Sequence, residues 1–263
     1  MDSAPLVSWI GRVAVFFIGC CLGSFYNVII YRWPKGESIV SPPSRCPACG
    51  TLIRWYDNIP VVSFVLLRGR CRQCRKSISW RYPAVELLTG LMAAGLFRMF
   101  GWSAPFFVFF VFGSLLVLIA FIDLDTFLIP DMLSLGGLAL GLTAAAVFPH
   151  MSWVDAWIGA LLGGGFFFAV AWGYQRLRNQ DGLGGGDIKL LAMIGAFIGW
   201  KGVLFTVFVS SVIGAAVGLA VMARSRQGLV TRLPFGPFLS LGAMSYVFWG
   251  ERFTRWYFES LAL

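Results

Sequence analysis

Acidic side chains inside or beside long apolar stretches are the residues of this sequence best suited to catalysis. A carboxylate at membrane depth is costly, so such residues usually serve a function. Five are found in such places: Glu86, Asp123, Asp125, Asp131 and Asp187. Two neighbouring carboxylates can perform acid–base chemistry, because one holds a proton while the other accepts one from water. A single carboxylate at a helix end is also typical of a solvated helix cap.

The order of the apolar stretches selects Asp123 and Asp187 as the pair. Asp123 ends a stretch that reaches one membrane surface, and Asp187 opens a stretch that leaves the same surface. Asp125 would point roughly 200° away from Asp123 on a continuing helix, so both cannot face one partner. Glycine allows close approach of substrate or backbone. Three glycines directly precede Asp187: Gly184, Gly185 and Gly186.

Four cysteines form two Cys-x-x-Cys pairs in one polar loop: Cys46, Cys49, Cys71 and Cys74. Pairs of this kind can present four thiolates tetrahedrally to Zn²⁺. The alternatives are two disulfides or four unrelated thiols, and a reducing cytoplasm disfavours the disulfides. We therefore predict a structural zinc site, because four protein ligands leave no position open for catalysis.

Other chemistries lack their residues or their context. The single histidine, His150, lies in an expected outer turn, and the sequence has no His-Glu-x-x-His motif, which excludes a metalloprotease of that kind. A Ser-His pair would also need His150. Residues 182–186 spell Gly-x-Gly-x-Gly, which cradles S-adenosylmethionine in soluble methyltransferases. Here the run precedes an apolar helix and follows no strand, so it does not predict that site.

The elements that must position these residues are membrane helices. Of 263 residues, 58% are hydrophobic and 13% are charged, which leaves too little polar surface for a soluble globule. A span needs about 20 apolar residues, and the sequence offers about eight such stretches. The first stretch, residues 6–31, lacks the basic segment that opens a secretory signal peptide, so we expect a retained span.

The distribution of positive charge predicts the orientation. Ten of the 21 lysines and arginines lie between Arg32 and Arg81, and others cluster near Arg176 and Arg224. Cytoplasmic loops carry such an excess, so these three loops are expected in the cytoplasm and both termini outside. The net charge of +9 follows from this arrangement, and no nucleic-acid partner is expected.

The sequence thus predicts an all-α polytopic membrane protein with about eight transmembrane helices and a small zinc-ribbon-like cytoplasmic domain inserted after the first span. The expected parts are the first span at 6–31, a four-cysteine zinc-binding domain at 32–81, and a membrane-embedded aspartyl protease domain at 82–263. A domain of about 50 residues is too small to rely on an apolar core alone, so we expect a metal or a disulfide to stabilise it.

Several motifs resemble the type IV prepilin peptidases, also called leader peptidase with N-methyltransferase, among the GxGD intramembrane aspartyl proteases. Gly184–Asp187 is similar to the Gly-x-Gly-Asp motif, and Ile122-Asp123 with Ile129-Pro130 looks like the first-aspartate motif. In the family pattern the catalytic aspartate stands six residues before that isoleucine, which selects Asp123. The loop sequences at 57–60, 67–71 and 79–83 resemble the cytoplasmic domain of bacterial members.

The resemblance implies two activities in the bacterial inner membrane. One is cleavage, on the cytoplasmic side and after a glycine, of the basic leader of type IV prepilins or type II secretion pseudopilins, with Asp123 and Asp187 as catalytic residues. The other is methylation of the new amino terminus with S-adenosylmethionine, for which the sequence names no residues. The cysteine domain keeps this second activity open, and it is a plausible location for the methyl donor.

Two functions from other classes share some of these features. A proton-coupled transporter also uses paired membrane carboxylates, but inverted repeats and broken helices near the midplane would then be expected. No repeat is visible in the sequence. A zinc-ribbon interaction protein with a membrane anchor would need only one or two spans, and the remaining spans would have no purpose.

Overall fold

The computed structural model describes residues 4–148, 151–178, 184–224 and 233–261, and helices dominate them. His150 and the first residues of the glycine run, Gly182 and Leu183, lie outside the described residues. The chain divides into two compact units, Met1–Phe106 and Phe107–Leu263. Each unit buries its own helix interfaces. The predicted all-α fold is confirmed.

The first unit pairs two long helices through small residues. Its helices are α1 (Ala4–Arg32), the short α2 (Val62–Leu66) and α3 (Arg81–Phe100). A Cβ on Gly23 would lie 2.8 Å from the Cα of Glu86, and a Cβ on Gly90 would lie 2.5 Å from the Sγ of Cys20. Such close backbone approach is the usual way for membrane helices to pack.

The segment between α1 and α3 contains the four cysteines of the predicted zinc-ribbon-like domain. It includes two short 3₁₀ turns, Trp33–Lys35 and Trp55–Asp57. Two isolated antiparallel bridges pair Arg45 with Leu52 and Arg70 with Ser77. Each bridge encloses one Cys-x-x-Cys pair, so the segment is built from two similar turns.

The second unit is a helical bundle around one long helix. Its helices are α4 (Ala104–Thr126), α5 (Asp131–Val147), α6 (Trp153–Ala160), α7 (Phe167–Arg178), α8 (Gly185–Arg224) and α9 (Gly236–Leu261). A π-helical turn, Leu161–Phe166, joins α6 to α7. Phe112 of α4 stacks on Phe197 of α8 with ring centroids 4.6 Å apart. These rings lie in the buried core that holds α4 and α8 together.

Glycine determines how α8 is built. Gly159 and Gly195 bring α6 and α8 into backbone contact, since a Cβ on Gly195 would overlap the carbonyl oxygen of Gly159. At Gly199 the backbone leaves the helical region (φ 71°, ψ 179°) and divides α8 into two segments. The left-handed φ suits glycine, which has no Cβ to clash there.

Within the described residues, five helical stretches are long and apolar enough to cross a membrane: Trp9–Lys35, Arg81–Phe100, Ala104–Thr126, Trp153–Leu177 and Gly185–Ala223. The chain is therefore a multi-pass membrane protein. The shorter apolar helix α5 covers only Asp131–Val147. The number of eight spans and the expected domain boundaries stay predictions.

Candidate active site and candidate metal centre

The four cysteines of the polar loop meet at one point. Their sulfur atoms all lie within 4.8 Å of one another, and the Sγ atoms of Cys46 and Cys74 are 3.8 Å apart. A tetrahedral Zn²⁺ with Zn–S bonds of about 2.3 Å places its ligand sulfurs about 3.8 Å apart. A disulfide requires an S–S distance of about 2.05 Å. The donor set, Cys46, Cys49, Cys71 and Cys74, therefore fits a closed metal site.

The two cysteine pairs lie in two separate backbone turns of the same type. The N–H of Cys46 donates to the carbonyl of Thr51, and that of Cys71 donates to the carbonyl of Lys76, at 2.9 Å each. A left-handed residue closes each turn, Gly50 (φ 70°) in the first and Arg75 (φ 58°) in the second. The glycine has a sequence signal, whereas the arginine has none, because a left-handed non-glycine residue is uncommon.

The first cysteine pair has a polar neighbour that favours the thiolate. The Sγ of Cys49 lies 3.4 Å from the Oγ1 of Thr51. Hydrogen bonding to this side chain lowers the pKa of the Cys49 thiol to about 6. Since the thiolate is the form that binds metal, Thr51 supports metal binding by Cys49.

Two predicted catalytic residues, Asp123 and Asp187, come together in the second unit. Asp123 lies near the end of α4 and is 5% exposed. Asp187 lies in the first turn of α8, where its N–H donates to the carbonyl of Gly184. The two carboxylates are close enough for their charges to interact. The packing of α4 against α8 in one core thus brings together Asp123 and Asp187, which are 64 positions apart in the sequence.

Helix α4 ends shortly after Asp123, at Thr126. The N–H of Phe127 donates to the carbonyl of Asp123, and Phe127 itself is left-handed (φ 55°). Pro130 then precedes the first residue of α5 with the φ of −64° that its ring imposes. Asp123 therefore stands at a sharp change of direction between two helices.

A backbone amide holds Asp123 from a third element. The N–H of Gly236, at the start of α9, donates to the Oδ2 of Asp123 at 2.9 Å. Helix N-termini offer N–H groups without intrahelical partners, and they favour negative charge. Sequence analysis missed this residue. The only available signal was a turn-like Pro-Phe-Gly-Pro run, residues 234–237, in front of a helix.

The three glycines that precede Asp187 differ in what a side chain at each position would contact. A Cβ on Gly184 would lie 3.1 Å from the Oδ2 of Asp187, and among the described residues no atom lies within 4 Å of a Cβ built on Gly185. A Cβ on Gly186 would lie 2.9 Å from the Cβ of Ile129. Gly186 therefore lets the start of α8 approach Ile129, while Gly184 and Gly185 keep the side of Asp187 open.

The other candidate carboxylates are placed differently. Asp125 is exposed in the last turn of α4. Asp131 is in the first turn of α5, where its Oδ1 forms an ion pair with the Nζ of Lys189 at a distance of 2.6 Å. Glu86 belongs to the first unit, where it is buried and accepts the N–H of Val61 at 2.7 Å.

Family models cover most of the chain. Residues 17–100 match the bacterial peptidase A24 N-terminal domain, and residues 110–219 match the type IV leader peptidase family. The first match covers the cysteine segment. The second includes both aspartates of the pair.

Curated relatives match over much of their length. A prepilin leader peptidase/N-methyltransferase of Myxococcus xanthus strain DK1622 is 42% identical over 217 residues, which are 82% of this chain and 65% of that relative. Proteins with the same name from Aeromonas hydrophila and Pseudomonas aeruginosa are 35% and 34% identical, over 98% and 97% of this chain and 97% and 98% of their own. No solved structure matches this chain.

Proposed function

The chain belongs to the type IV leader peptidase family, and on that premise we propose that it is a prepilin peptidase and N-methyltransferase. It removes the leader of type IV prepilins or type II secretion pseudopilins after a glycine, and it then methylates the new amino terminus. The observation that carries the peptidase activity is the pair Asp123 and Asp187, whose charges interact at adjoining helix ends. Nucleic acid has no part in this function.

The pair acts as one acid and one base. The ionised carboxylate takes a proton from a water molecule, whose oxygen attacks the scissile carbonyl carbon, while the protonated partner gives its proton to the carbonyl oxygen. Collapse of the tetrahedral intermediate breaks the C–N bond. The carboxyl that took the water proton gives it to the leaving nitrogen, and a hydroxyl group of the intermediate returns a proton to the other carboxylate. We assign the ionised role to Asp123, because the N–H of Gly236 donates to its Oδ2 at the start of α9.

The open side of Asp187 is where the peptide enters. Gly184 and Gly185 place no side chain over this carboxylate, and a Cβ on Gly185 would meet nothing within 4 Å. An extended peptide can therefore bring its backbone close to the aspartate. This arrangement supports cleavage of an unfolded leader segment.

The orientation and the metal complete the proposal. The loops rich in lysine and arginine lie on the cytoplasmic side of the bacterial inner membrane, together with the cysteine domain and the aspartate pair. The four thiolates hold one structural Zn²⁺, which staples a domain that has little apolar core of its own. S-adenosylmethionine is the cosubstrate that supplies the methyl group.

The function is tested by weighing the products. Purified protein in detergent is incubated with a full-length prepilin, with and without S-adenosylmethionine, and the products are analysed by mass spectrometry. We expect loss of the leader in both reactions and one added methyl group only with the methyl donor. A prepilin whose glycine before the cleavage site is replaced serves as the matched control and stays intact. An unprocessed wild-type prepilin would overturn the peptidase assignment, and processing without methylation would overturn the second activity.

A further inference from the structure

The short helix α2 has an apolar face that the protein leaves exposed. Val65 and Leu66 are 66% and 76% exposed, and Val62 is exposed on the same face, because residues three and four apart are neighbours on a helix. The opposite face is turned inwards: Ser63 is buried, and Leu67 lines a cavity among α1, α3 and the cysteine segment. A helix that faces water would carry polar residues on its outer side, so this face is suited to another partner.

Two tryptophans extend this apolar surface. Trp80 is 77% exposed, and its ring centroid lies 4.8 Å from that of Phe64 in α2. Trp55 is 81% exposed and packs edge-to-face against Tyr56, whose carbonyl accepts the hydroxyl of Ser63 at 2.9 Å. Exposed apolar patches of this kind mark binding sites for proteins or membranes. We refer to four exposed side chains as the α2 surface: Trp55, Val65, Leu66 and Trp80.

A hydrogen bond places the start of α2 beside a membrane span. The N–H of Val61, directly before α2, donates to the Oε2 of Glu86 at 2.7 Å. Glu86 lies five residues into the span Arg81–Phe100, which is about 7.5 Å along the helix axis at a rise of 1.5 Å per residue. Val61 has a φ of 61°, which is rare for a β-branched residue and persists only where the surrounding structure enforces it. Helix α2 is therefore held next to the first turns of α3, where lipid headgroups are its neighbours.

The segment that carries the α2 surface is cationic. Residues 33–80 include eight lysines and arginines against two acidic residues. A Zn²⁺ held by four thiolates would subtract two charges, so the segment stays positive. Arg68 is exposed and directly follows α2, where its N–H donates to the carbonyl of Val65. Aromatic, aliphatic and cationic side chains on one surface are typical of elements that lie in the interface of an anionic membrane.

We infer that the α2 surface docks on the lipid leaflet in which α1 ends and α3 begins, and that Arg68 binds the headgroup of an anionic phospholipid there. Val65 and Leu66 enter the boundary between headgroups and acyl chains, and the two tryptophans lie at the level of the headgroups. A soluble anion such as phosphate would use the arginine alone and would leave four apolar side chains in water. Docking depends on neither leader cleavage nor methylation.

Photo-crosslinking tests which partner covers the α2 surface. The full chain with p-benzoylphenylalanine at the position of Leu66 is reconstituted in nanodiscs of equimolar phosphatidylglycerol and phosphatidylcholine, irradiated and analysed by mass spectrometry. We expect phospholipid adducts that favour phosphatidylglycerol about fivefold, the preference that one cation near an anionic surface provides. The matched control carries the same probe at the neighbouring leucine, Leu67, which lines the cavity and should give few lipid adducts.

Neutralising Arg68 tests the role of its charge. Arg68→Gln, in the chain that carries the probe at Leu66, should keep the total yield of lipid adducts and lose the preference for phosphatidylglycerol. Arg75→Gln is the matched control, because Arg75 is also an exposed arginine with a positive φ, but it closes the second cysteine turn. This control should retain the preference. An unchanged preference in Arg68→Gln, or an equal loss in both variants, would overturn the role of Arg68.

The identity of the adducts at Leu66 decides the occupant of the α2 surface. Adducts to a second copy of the chain or to another segment of the same chain, in place of lipid, would overturn the docking on lipid. Equal lipid yields from the probes at Leu66 and Leu67 would do the same. Added prepilin should leave the lipid adducts in place, and their replacement by prepilin adducts would make the substrate the partner instead. Thermal unfolding at the wild-type temperature is the check that each variant is folded.

Discussion

Gly236→Ala tests how the second unit positions Asp123. A Cβ at this position would lie 2.7 Å from the Oδ2 of Asp123, about 0.7 Å short of ordinary van der Waals contact at 3.4 Å. Gly236 is not among the glycines with a positive φ, so alanine can adopt its backbone conformation. The substitution therefore acts by pushing the carboxylate away from the N–H that now holds it at 2.9 Å.

The expected cost follows from this displacement. A hydrogen bond to a charged group contributes about 1.5–3 kcal/mol, and a misplacement approaching 1 Å can lower catalysis by about 10²-fold. We expect Gly236→Ala to reduce kcat for leader cleavage by about 10- to 100-fold. KM for prepilin should change little, because the substituted methyl group faces Asp123.

Initial rates of prepilin cleavage at several substrate concentrations, with equal amounts of purified protein, measure this effect. Gly136→Ala is the matched control, since a Cβ on Gly136 in α5 would meet nothing within 4 Å. That variant should cleave at the wild-type rate. Wild-type kcat in Gly236→Ala would refute the positioning role of this residue.

Three further substitutions test other contacts. Cys71→Ser should remove the single zinc expected per chain together with the fold of its domain, as metal analysis would show, and a fully metallated variant would contradict the four-cysteine site. Gly186→Val should block cleavage, because its Cβ would lie 2.9 Å from that of Ile129; normal prepilin processing would argue against this close approach. Asp131→Asn should lower the free energy of unfolding by at most about 1 kcal/mol and leave cleavage intact, because its partner Lys189 and Asp131 itself are exposed. Loss of processing in that variant would place Asp131 in the site.

Side chains with costly or unusual chemistry were identified from the sequence alone. Four cysteines at knuckle spacing predicted a cluster, and the structure brings their sulfurs together. The sequence predicts that the carboxylates Asp123 and Asp187 form a pair, and the structure places them close enough for their charges to interact; their position at one membrane surface stays a prediction. The family assignment from motifs is confirmed by the family models.

Contacts made by the backbone had no comparable signal. The bond from Gly236 to Asp123 joins residues 113 positions apart through a main-chain N–H, which every residue but proline possesses. The left-handed φ of Val61 depends on the surrounding packing and not on its β-branched side chain. The hydrogen bond from the N–H of Val61 to Glu86 had no sequence signal either. From the sequence, Glu86 was only one of the candidate carboxylates.

The most direct measurement of the central claim is prepilin processing by Asp123→Asn and Asp187→Asn at matched membrane abundance. An amide can neither activate water by ionising nor return a proton, so each variant should abolish leader cleavage while the protein stays folded and inserted. Asp125→Asn, exposed in the same helical turn region of α4, is the control and should retain most of the activity. Substantial cleavage by either Asp123→Asn or Asp187→Asn would contradict the account, and loss with Asp125→Asn but not with Asp123→Asn would move the first catalytic residue two positions along the chain.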